Sequence, residues 1–336
     1  MAGGASTVEL VAAVSNAGGL GTLAGALLAP QALADAVDAV RKRSVHPIGI
    51  NLFMLNQPTP DAAEVARALQ WLDPVRAELG LPPGLPPTKW CENFHQQFAA
   101  LVELRPALAS FTFGILDKAQ VDALHAGGSL VMGTATTVAE ARLWESVGAD
   151  FICAQGAEAG GHRGTFLGPF EDAMIGCMAL VPQIVDAVRV PVLAAGGIMD
   201  GRGIAAALML GASGCQLGTA FLTCPEAGIH PAWKALLREA RDDATRVTRV
   251  FSGKPARGLV NDFMRRFEAL EAKLPPYPVQ NALTGEIRQA ATKAGRMEYL
   301  SLWAGQAARL SRGISADELV GLLATETIEA LRRQQP

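Results

Sequence analysis

The sequence predicts an α/β protein built as a TIM (β/α)8 barrel, with the first strand missing from this chain and a helical subdomain at the C-terminus. Short apolar runs alternate with Ala- and Leu-rich segments over residues 1–230. These runs are nearly continuous, which is typical of parallel strands buried on both faces. Several of them lead into glycine-rich turns, as strands do at the carboxyl edge of a barrel. Together these features favour a repeated βα architecture.

The apolar runs and the segments between them give the predicted elements in chain order. Strands are predicted at 20–23, 48–52, 110–113, 129–132, 151–153, 192–195 and 214–217. Helices are predicted at 7–17, 30–43, 117–126, 137–147, 172–188 and 201–210. The first of these helices closes with Asn16-Ala17-Gly18-Gly19, a common helix-stop signal.

The N-terminus resembles a βα loop rather than the start of a barrel. Seven strands are one short of a closed barrel, and the chain opens with Met1-Ala2-Gly3-Gly4-Ala5-Ser6. We therefore expect the first strand to be absent, with the start codon placed at an internal Met. The alternative is a frayed terminus on an open sheet. A missing strand would expose two sheet edges.

Two regions depart from the βα rhythm. A Pro-rich insertion at about 56–90 contains Pro82-Pro83 and Pro86-Pro87 and is expected to cover one barrel face. From 231 the chain becomes mostly helical, with charged helices and a break at Leu274-Pro275-Pro276-Tyr277-Pro278. The prediction is a barrel over 1–230 and a mostly helical cap or C-terminal subdomain over 231–336.

Composition argues against several classes of protein. The net charge is −3, without a basic run, so nucleic-acid binding has no electrostatic support. No apolar stretch reaches the roughly 20 residues of a membrane span, and no secretory signal is evident. The five cysteines form no CxxC pair, as expected of a reduced, cytoplasmic protein. No clustered Cys or His ligands indicate a metal site.

The run from Ala154 to Gly164 is the strongest functional signal. It follows a short apolar strand and contains four glycines and His162. Glycines let a backbone approach a flat or anionic ligand, and histidine is suited to proton transfer near neutral pH. His162 is therefore the candidate catalytic residue, with Glu158 as an alternative base. Taken alone, the run could also be a glycine-rich turn with an incidental surface histidine.

Two further strand ends are candidates for binding phosphate. Gly196 and Gly197 follow the sixth predicted strand, and the seventh ends in Gln216-Leu217 and runs into Gly218-Thr219. Counting the missing strand, these are barrel strands seven and eight, where backbone N–H groups and a helix N-terminus often hold phosphate. Tight βα turns are the alternative. Asn51 and Gln155, at two other strand ends, could bind a heterocycle edge through their amides.

These segments together resemble the nitronate monooxygenase family, formerly called 2-nitropropane dioxygenases. The resemblance covers nearly the whole chain. The motifs that carry it are the MAGGAST start, GAEAGGHRG, AGGIMDGRG, QLGT, SGKPARG and WAGQ. In the family, a strand ending in a Gln-x-Pro-Met-like run precedes the MAGG segment, whereas this chain begins at that Met.

The resemblance implies a TIM barrel with non-covalent FMN. By matching position, His162 would be the catalytic base, and the amides at Gly196-Gly197 and Gly218-Thr219 would hold the phosphate. The FMN contacts implied are Asn51, Gln155, Gly160, Gly196, Gly197, Gln216, Leu217, Gly218 and Thr219. The family activity is oxidation of alkyl nitronates, such as propionate 3-nitronate, by O2 to a carbonyl compound and nitrite. His162 would first deprotonate neutral nitroalkanes.

Three alternatives stay open at this stage. A flavin-dependent enoyl-acyl carrier protein reductase shares a similar loop, and an NAD(P)H:quinone reductase is a further relative; SGKPARG and WAGQ favour the monooxygenase. A truncated, non-catalytic flavin-binding protein is the third alternative. The scattered surface charge neither requires nor excludes a homodimer.

Overall fold

A computed structural model describes residue 1 and residues 3–333. Within them the chain forms ten β-strands. In chain order these are β1 (Gly21–Ala24), β2 (Ile48–Phe53), β3 (Leu108–Thr112), β4 (Leu130–Ala135), β5 (Phe151–Gln155), β6 (Gly161–His162), β7 (Val192–Ala195), β8 (Gly214–Gln216), β9 (Thr245–Thr248) and β10 (Ala256–Leu259).

Fourteen α-helices accompany these strands in the same described residues. They are α1 (Val8–Asn16), α2 (Pro30–Arg41), α3 (Ala62–Glu78), α4 (Phe94–Leu104), α5 (Lys118–Ala126), α6 (Val138–Ser146), α7 (Cys177–Val185), α8 (Gly201–Met209), α9 (Thr219–Leu222), α10 (Pro231–Glu239), α11 (Asp262–Phe267), α12 (Val279–Leu283), α13 (Gly285–Ala294) and α14 (Ala316–Arg332).

Seven parallel strands form the main sheet, in the order β1-β2-β3-β4-β5-β7-β8. The predicted βα repeat and barrel-like fold are confirmed, and all seven predicted barrel strands are present. Within the described residues, β1 and β8 are the two edges of this sheet. Because neighbouring strands are parallel and sequential, their carboxyl ends lie together at one edge, where a ligand site is expected.

One predicted helix is shorter than expected. The pattern predicted a helix over 172–188, but the structure has a 3-10 helix at Glu171–Ala173 and α7 begins only at Cys177. The Glu158 carboxylate accepts a hydrogen bond from the Cys177 amide at 2.9 Å, which satisfies a helix N-terminal donor there. A residue distant in sequence therefore helps to define where this helix begins.

The sheet core is built as its apolar runs predict. Ile50, Leu52, Phe111, Val131 and Ile152 are fully buried. They belong to one cluster with residues of the surrounding helices. Alternate residues on a strand face opposite ways, so the intervening Ser110, Thr112 and Thr134 share the other face of the sheet. Polar side chains thereby reach the carboxyl edge of a sheet with an apolar core.

The Pro-rich insertion contains a 17-residue helix, α3. Its buried residues pack in one cluster with residues of the later chain, among them Phe251, Phe263 and Ile287. Arg76 of α3 also pairs with Glu286 of α13 at 2.7 Å. The insertion and the segment from about 250 to 304 therefore share a hydrophobic core beside the barrel, which we call the cap.

The chain after 231 is not helical throughout, because β9 and β10 lie within it. These two strands pair antiparallel, and β10 also pairs antiparallel with β6. The loop after β5 carries β6, so this small sheet joins the barrel loop to the later chain. Helix α14 packs on α8 and α1, against the barrel rather than in the cap core.

Candidate active site

A cavity of about 840 Å³ lies at the carboxyl edge of the main sheet. Pockets of about 300–1,000 Å³ are typical of small-molecule and cofactor sites. The structure brings all ten predicted site residues to its wall: Asn51, Gln155, Gly160, His162, Gly196, Gly197, Gln216, Leu217, Gly218 and Thr219.

Buried guanidinium groups hold the glycine-rich loop after β5 in place. Arg163 is 1% exposed and donates to the carbonyls of Gly156, Gln155 and Ala173 at 2.6–3.1 Å. Arg257 of β10 donates to the Ala157 carbonyl at 3.0 Å. Charge-assisted hydrogen bonds of this kind are stronger than neutral ones, so the loop is firmly anchored next to His162.

His162 is held by a hydroxyl from the later chain. Its Nε2 lies 2.8 Å from Ser252 Oγ, and Ser252 Oγ also lies 3.1 Å from the Lys254 carbonyl, to which it donates. A serine that donates its only proton to a carbonyl accepts from its other neighbour, so Nε2 carries the imidazole proton and Nδ1 is the free base. Ser252 therefore selects one tautomer of His162.

Aromatic rings surround His162. Its ring centroid lies 5.3 Å from that of Tyr277, 5.4 Å from Trp303, 5.7 Å from Phe113 and 6.2 Å from Phe53. Phe113 has φ +79°, a rare and strained conformation for a bulky residue. Strain of this kind, which costs about 1–3 kcal/mol, concentrates at functional sites.

The surroundings of His162 keep its ring neutral. Burial and, to a lesser extent, the positive charges of Lys254 and Arg288 together lower the pKa of His162 to about 3. Desolvation and like charge both disfavour the imidazolium. A neutral imidazole is available as a proton acceptor throughout the physiological pH range.

The turn after β7 presents free backbone N–H groups. Gly196 and Gly197 have φ +114° and +72°, which favour glycine. Within the described residues, none of the amides from Gly196 to Met199 donates to a protein acceptor. The first turn of α8 is different: its amides donate to Glu326 and Asp200. An anion here would therefore bind the turn and not the α8 N-terminus.

The segment after β8 completes this side of the cavity. Thr219 Oγ1 accepts from the Gly305 amide at 2.9 Å, and the Gln306 amide donates to the Glu158 carbonyl at 2.9 Å. The WAGQ segment is thus tied both to Thr219 and to the loop after β5. A Cβ added to Gly160 would lie 2.6 Å from the Ala304 and Gly305 backbone, so only glycine fits this close approach.

The two predicted amide side chains are oriented by strand hydroxyls and by the loop. Asn51 donates through Nδ2 to Ser110 Oγ and Thr112 Oγ1, which leaves its Oδ1 without a partner in the described residues. Gln155 donates to the His162 carbonyl and accepts from the Gly164 amide. Asn51 can therefore accept from a ring N–H, whereas much of the hydrogen-bonding capacity of Gln155 supports the loop.

Charge is distributed unevenly around the cavity. In the described residues no Asp or Glu lines the wall, and Arg288 is the one Lys or Arg that does. No acidic side chain lies within 4.0 Å of its guanidinium in the described residues. The cavity is therefore suited to anions.

Several site residues were missed by sequence reasoning, namely Phe53, Phe113, Ser252, Tyr277, Arg288 and Trp303. Ser252 and Trp303 lie in the SGKPARG and WAGQ motifs, whose sequences assign no role to single residues. Tyr277 lies in the Pro-rich break after Leu274, which carries no signal of a ligand site. Nothing in the local sequence around Arg288 distinguishes it from the other arginines of the charged C-terminal helices.

On these observations the site fits a flavin that carries a phosphate. Free turn amides suit a phosphate, the unpartnered Asn51 Oδ1 suits a ring N–H, and glycines open the wall to a flat ring system.

Within the described residues there is no group of three or more metal-ligating side chains, and no helix is long and apolar enough to cross a bilayer.

Fold and site together define a barrel-like α/β enzyme with a ligand cavity at the carboxyl ends of its strands. The family model for nitronate monooxygenase matches residues 1–326. A probable nitronate monooxygenase of Staphylococcus haemolyticus is 41% identical over 322 residues, covering 95% of this chain and 90% of the relative. The chain therefore belongs to the nitronate monooxygenase family of flavin-dependent oxidoreductases.

Solved structures agree with this assignment. A nitroalkane oxidase from Streptomyces ansochromogenes superimposes with a TM-score of 0.92 at 40% identity, over 99% of this chain and 95% of that one. FabK from Thermotoga maritima superimposes with a TM-score of 0.76 at 28% identity, over 98% and 93% of the two chains. The barrel-like fold and its cap are thus shared with known proteins.

Proposed function

We propose that this protein oxidises alkyl nitronates with O2 to a carbonyl compound and nitrite, using FMN, with propionate 3-nitronate as a substrate. The observation that carries the proposal is the cavity at the carboxyl edge, which is lined by all ten predicted site residues and offers free turn amides suited to a cofactor phosphate. Bound flavin would supply the electron acceptor for the nitronate, which is redox chemistry that no side chain provides.

The binding roles follow from the partners that each group lacks. The free amides of the Gly196–Gly197 turn, with those of Gly218 and Thr219, would hold the FMN phosphate. Asn51 Oδ1 would accept from the flavin ring, and Gln155, Gly160, Gln216 and Leu217 would line its pocket.

The chemical role of His162 is limited to neutral nitroalkanes. A nitronate is already the conjugate base, whereas a nitroalkane must first lose a proton from carbon. The neutral imidazole would take that proton at Nδ1, with Ser252 retaining the Nε2 proton in its hydrogen bond. Ser252 is thus a positioning residue, and the aromatic rings exclude water around the base.

The setting of this activity is also a proposal. The cysteines Cys91, Cys153, Cys177, Cys215 and Cys224 are all free thiols. Free thiols are typical of a reducing compartment, which supports a cytoplasmic enzyme acting on small molecules.

The test is oxygen uptake and nitrite release by the FMN-reconstituted protein, with propionate 3-nitronate and, separately, with NADH. Uptake with nitrite release from the nitronate, and no NADH oxidation, is the expected result. NADH oxidation without nitronate turnover would move the protein to a reductase function. Bound FMN without either reaction would support a non-catalytic flavin-binding protein.

A further inference from the structure

We propose that Arg288 determines substrate specificity by binding a carboxylate on a substrate that also carries the nitronate. The inference rests on the proposed function and adds a residue and a second recognition group to it. The substrate would then be held at two ends, with its reacting carbon near His162 and its carboxylate at Arg288.

The charge of the cavity wall is the first argument. Arg288 is the one Lys or Arg that lines the cavity in the described residues, and no Asp or Glu balances it there. A guanidinium without an acidic partner in a partly enclosed, largely apolar cavity attracts an anion more strongly than the same charge on the surface. The remaining wall consists mainly of glycine, aliphatic, aromatic and neutral polar side chains.

The way in which Arg288 is held is the second argument. Its Nη2 donates to the Asn281 carbonyl at 2.7 Å and to Asn281 Oδ1 at 3.0 Å, and its Nε donates to the Thr284 carbonyl at 3.3 Å. Within the described residues Nη1 has no hydrogen-bond partner. Neutral acceptors thus orient the guanidinium without cancelling its charge, and Nη1 stays available to a carboxylate oxygen.

The acidic residue nearest to Arg288 on α13 already has a salt-bridge partner. Glu286 of α13 pairs with Arg76 of α3 at 2.7 Å, and Arg76 also donates to the Pro82 carbonyl. This pair anchors α13 to the insertion and keeps the Glu286 carboxylate occupied. Arg288 is therefore fixed in place by the cap, with no internal anion to compete for it.

The position of Arg288 relative to His162 is the third argument. The Tyr277 ring lies 5.3 Å from that of His162, and the charge of Arg288 acts on the pKa of both groups. Burial raises the pKa of Tyr277, and Arg288 opposes that rise. The base and the cation therefore border the same aromatic space, which suits a short molecule with one anionic group at each end.

The experiment compares Arg288→Gln with the wild-type enzyme on propionate 3-nitronate and on ethyl nitronate, which lacks the carboxylate. Loss of one charge-assisted hydrogen bond predicts a KM about 10- to 100-fold higher for propionate 3-nitronate, and a change of less than about threefold for ethyl nitronate. Arg288→Lys keeps the charge but loses the guanidinium geometry, so an intermediate KM is expected. An equal loss on both nitronates would overturn the proposal.

Two controls accompany the kinetics. Lys293→Gln removes a positive charge from the exposed side of the same helix and should leave both KM values unchanged. Bound flavin, measured by absorbance, should be unchanged in Arg288→Gln, and the variant should remain folded at the assay temperature, since the loss of the bonds to Asn281 and Thr284 lowers only its melting temperature. A parallel loss of flavin or of folding would show that Arg288 holds the cofactor or the cap, which would overturn the specificity role.

An equilibrium measurement separates this inference from the proposed function. Calorimetry would compare binding of 3-nitropropionate and of uncharged 1-nitropropane to the flavin-loaded proteins. Weaker binding of 3-nitropropionate alone in Arg288→Gln supports the carboxylate site, even if no nitronate is oxidised. The carboxylate site is refuted if the wild type and the variant bind 3-nitropropionate with equal affinity, or if neither protein binds it.

Discussion

His162 combines a pKa lowered by its surroundings with a fixed orientation of its ring. Burial and two nearby cations keep the ring neutral, while Ser252 accepts a hydrogen bond from Nε2–H. The two influences act on different properties: the first determines the charge, and the second determines which nitrogen is the base. They can therefore be tested by separate substitutions.

Replacing His162 by Ala should affect neutral nitroalkanes more than preformed nitronates. General-base catalysis contributes about 10²–10⁴-fold, and a nitronate needs no such step. Measuring kcat/KM for nitroethane and for ethyl nitronate gives the comparison. An equal reduction on both substrates would contradict the base role.

Ser252→Ala should lower turnover of neutral nitroalkanes about 10- to 100-fold, because the imidazole loses the partner that selects its tautomer. Ser252→Thr retains the hydroxyl and should restore most of the activity. If the role of Ser252 were merely structural, the pH profile of kcat/KM for nitroethane would be the same in the variants as in the wild type. If Thr were as damaging as Ala, the hydroxyl would not be the important feature.

Stability should fall in mild acid because of the same histidine. The pKa of His162 is about 3 in the folded protein and about 6.5 when unfolded, so between these values the unfolded state binds the extra proton. The contribution of the buried, neutral His162 to the free energy of unfolding is fully present above pH 6.5 and is lost as the pH falls towards 3. The slope approaches about 1.4 kcal/mol per pH unit. Urea unfolding of the wild type and His162→Gln should show a flatter pH dependence in the variant; parallel curves would contradict the burial.

At the scale of elements, the loop after β5 and the WAGQ segment depend on a close backbone contact. In Gly160→Ala the new methyl group would meet the Ala304 and Gly305 backbone at 2.6 Å. Overpacking of this kind costs about 1–3 kcal/mol, and FMN affinity should fall with it.

Gly321→Ala is the matched control for this contact. Gly321 lies in α14, and nothing is within 4 Å of its added Cβ. Because alanine is also the better helix former, this variant should be neutral or slightly stabilising. Thermal melts and flavin titrations check both variants, and a stable Gly160→Ala protein with full FMN affinity would rule out the contact as a constraint.

The sequence predicts elements better than it predicts the partners of individual residues. The strands follow from local apolar runs, and the glycine-rich turns mark the binding edge, because both signals are contiguous in the chain. The start of α7 depends on Glu158, 19 residues away. The contact of Ser252 with His162 joins residues 90 apart, and the place of Arg288 in the cavity depends on how the cap packs. Contacts between residues so far apart in the chain produce no periodic pattern in the sequence.

At the scale of the whole molecule, the insertion and the later chain should unfold as one unit. Leu72 of α3 is 0% exposed in their shared core, so Leu72→Ala should lower the free energy of unfolding by about 2–5 kcal/mol. Leu85→Ala, at an 81% exposed position of the same insertion, should change it little. Chemical denaturation followed by fluorescence measures both. A Leu72→Ala protein that kept wild-type stability would show that the shared core contributes little.

The order of the site residues along the chain has a consequence for protein engineering. The residues proposed to hold the flavin lie between 51 and 219, whereas Ser252, Tyr277, Arg288 and Trp303 all come later. The residues proposed to hold the flavin and several of those proposed to surround the substrate therefore occupy consecutive segments of the chain. Chimeras joined between the two segments are therefore a route to new specificities, provided that the joined parts keep the close contact of Gly160 with Ala304 and Gly305.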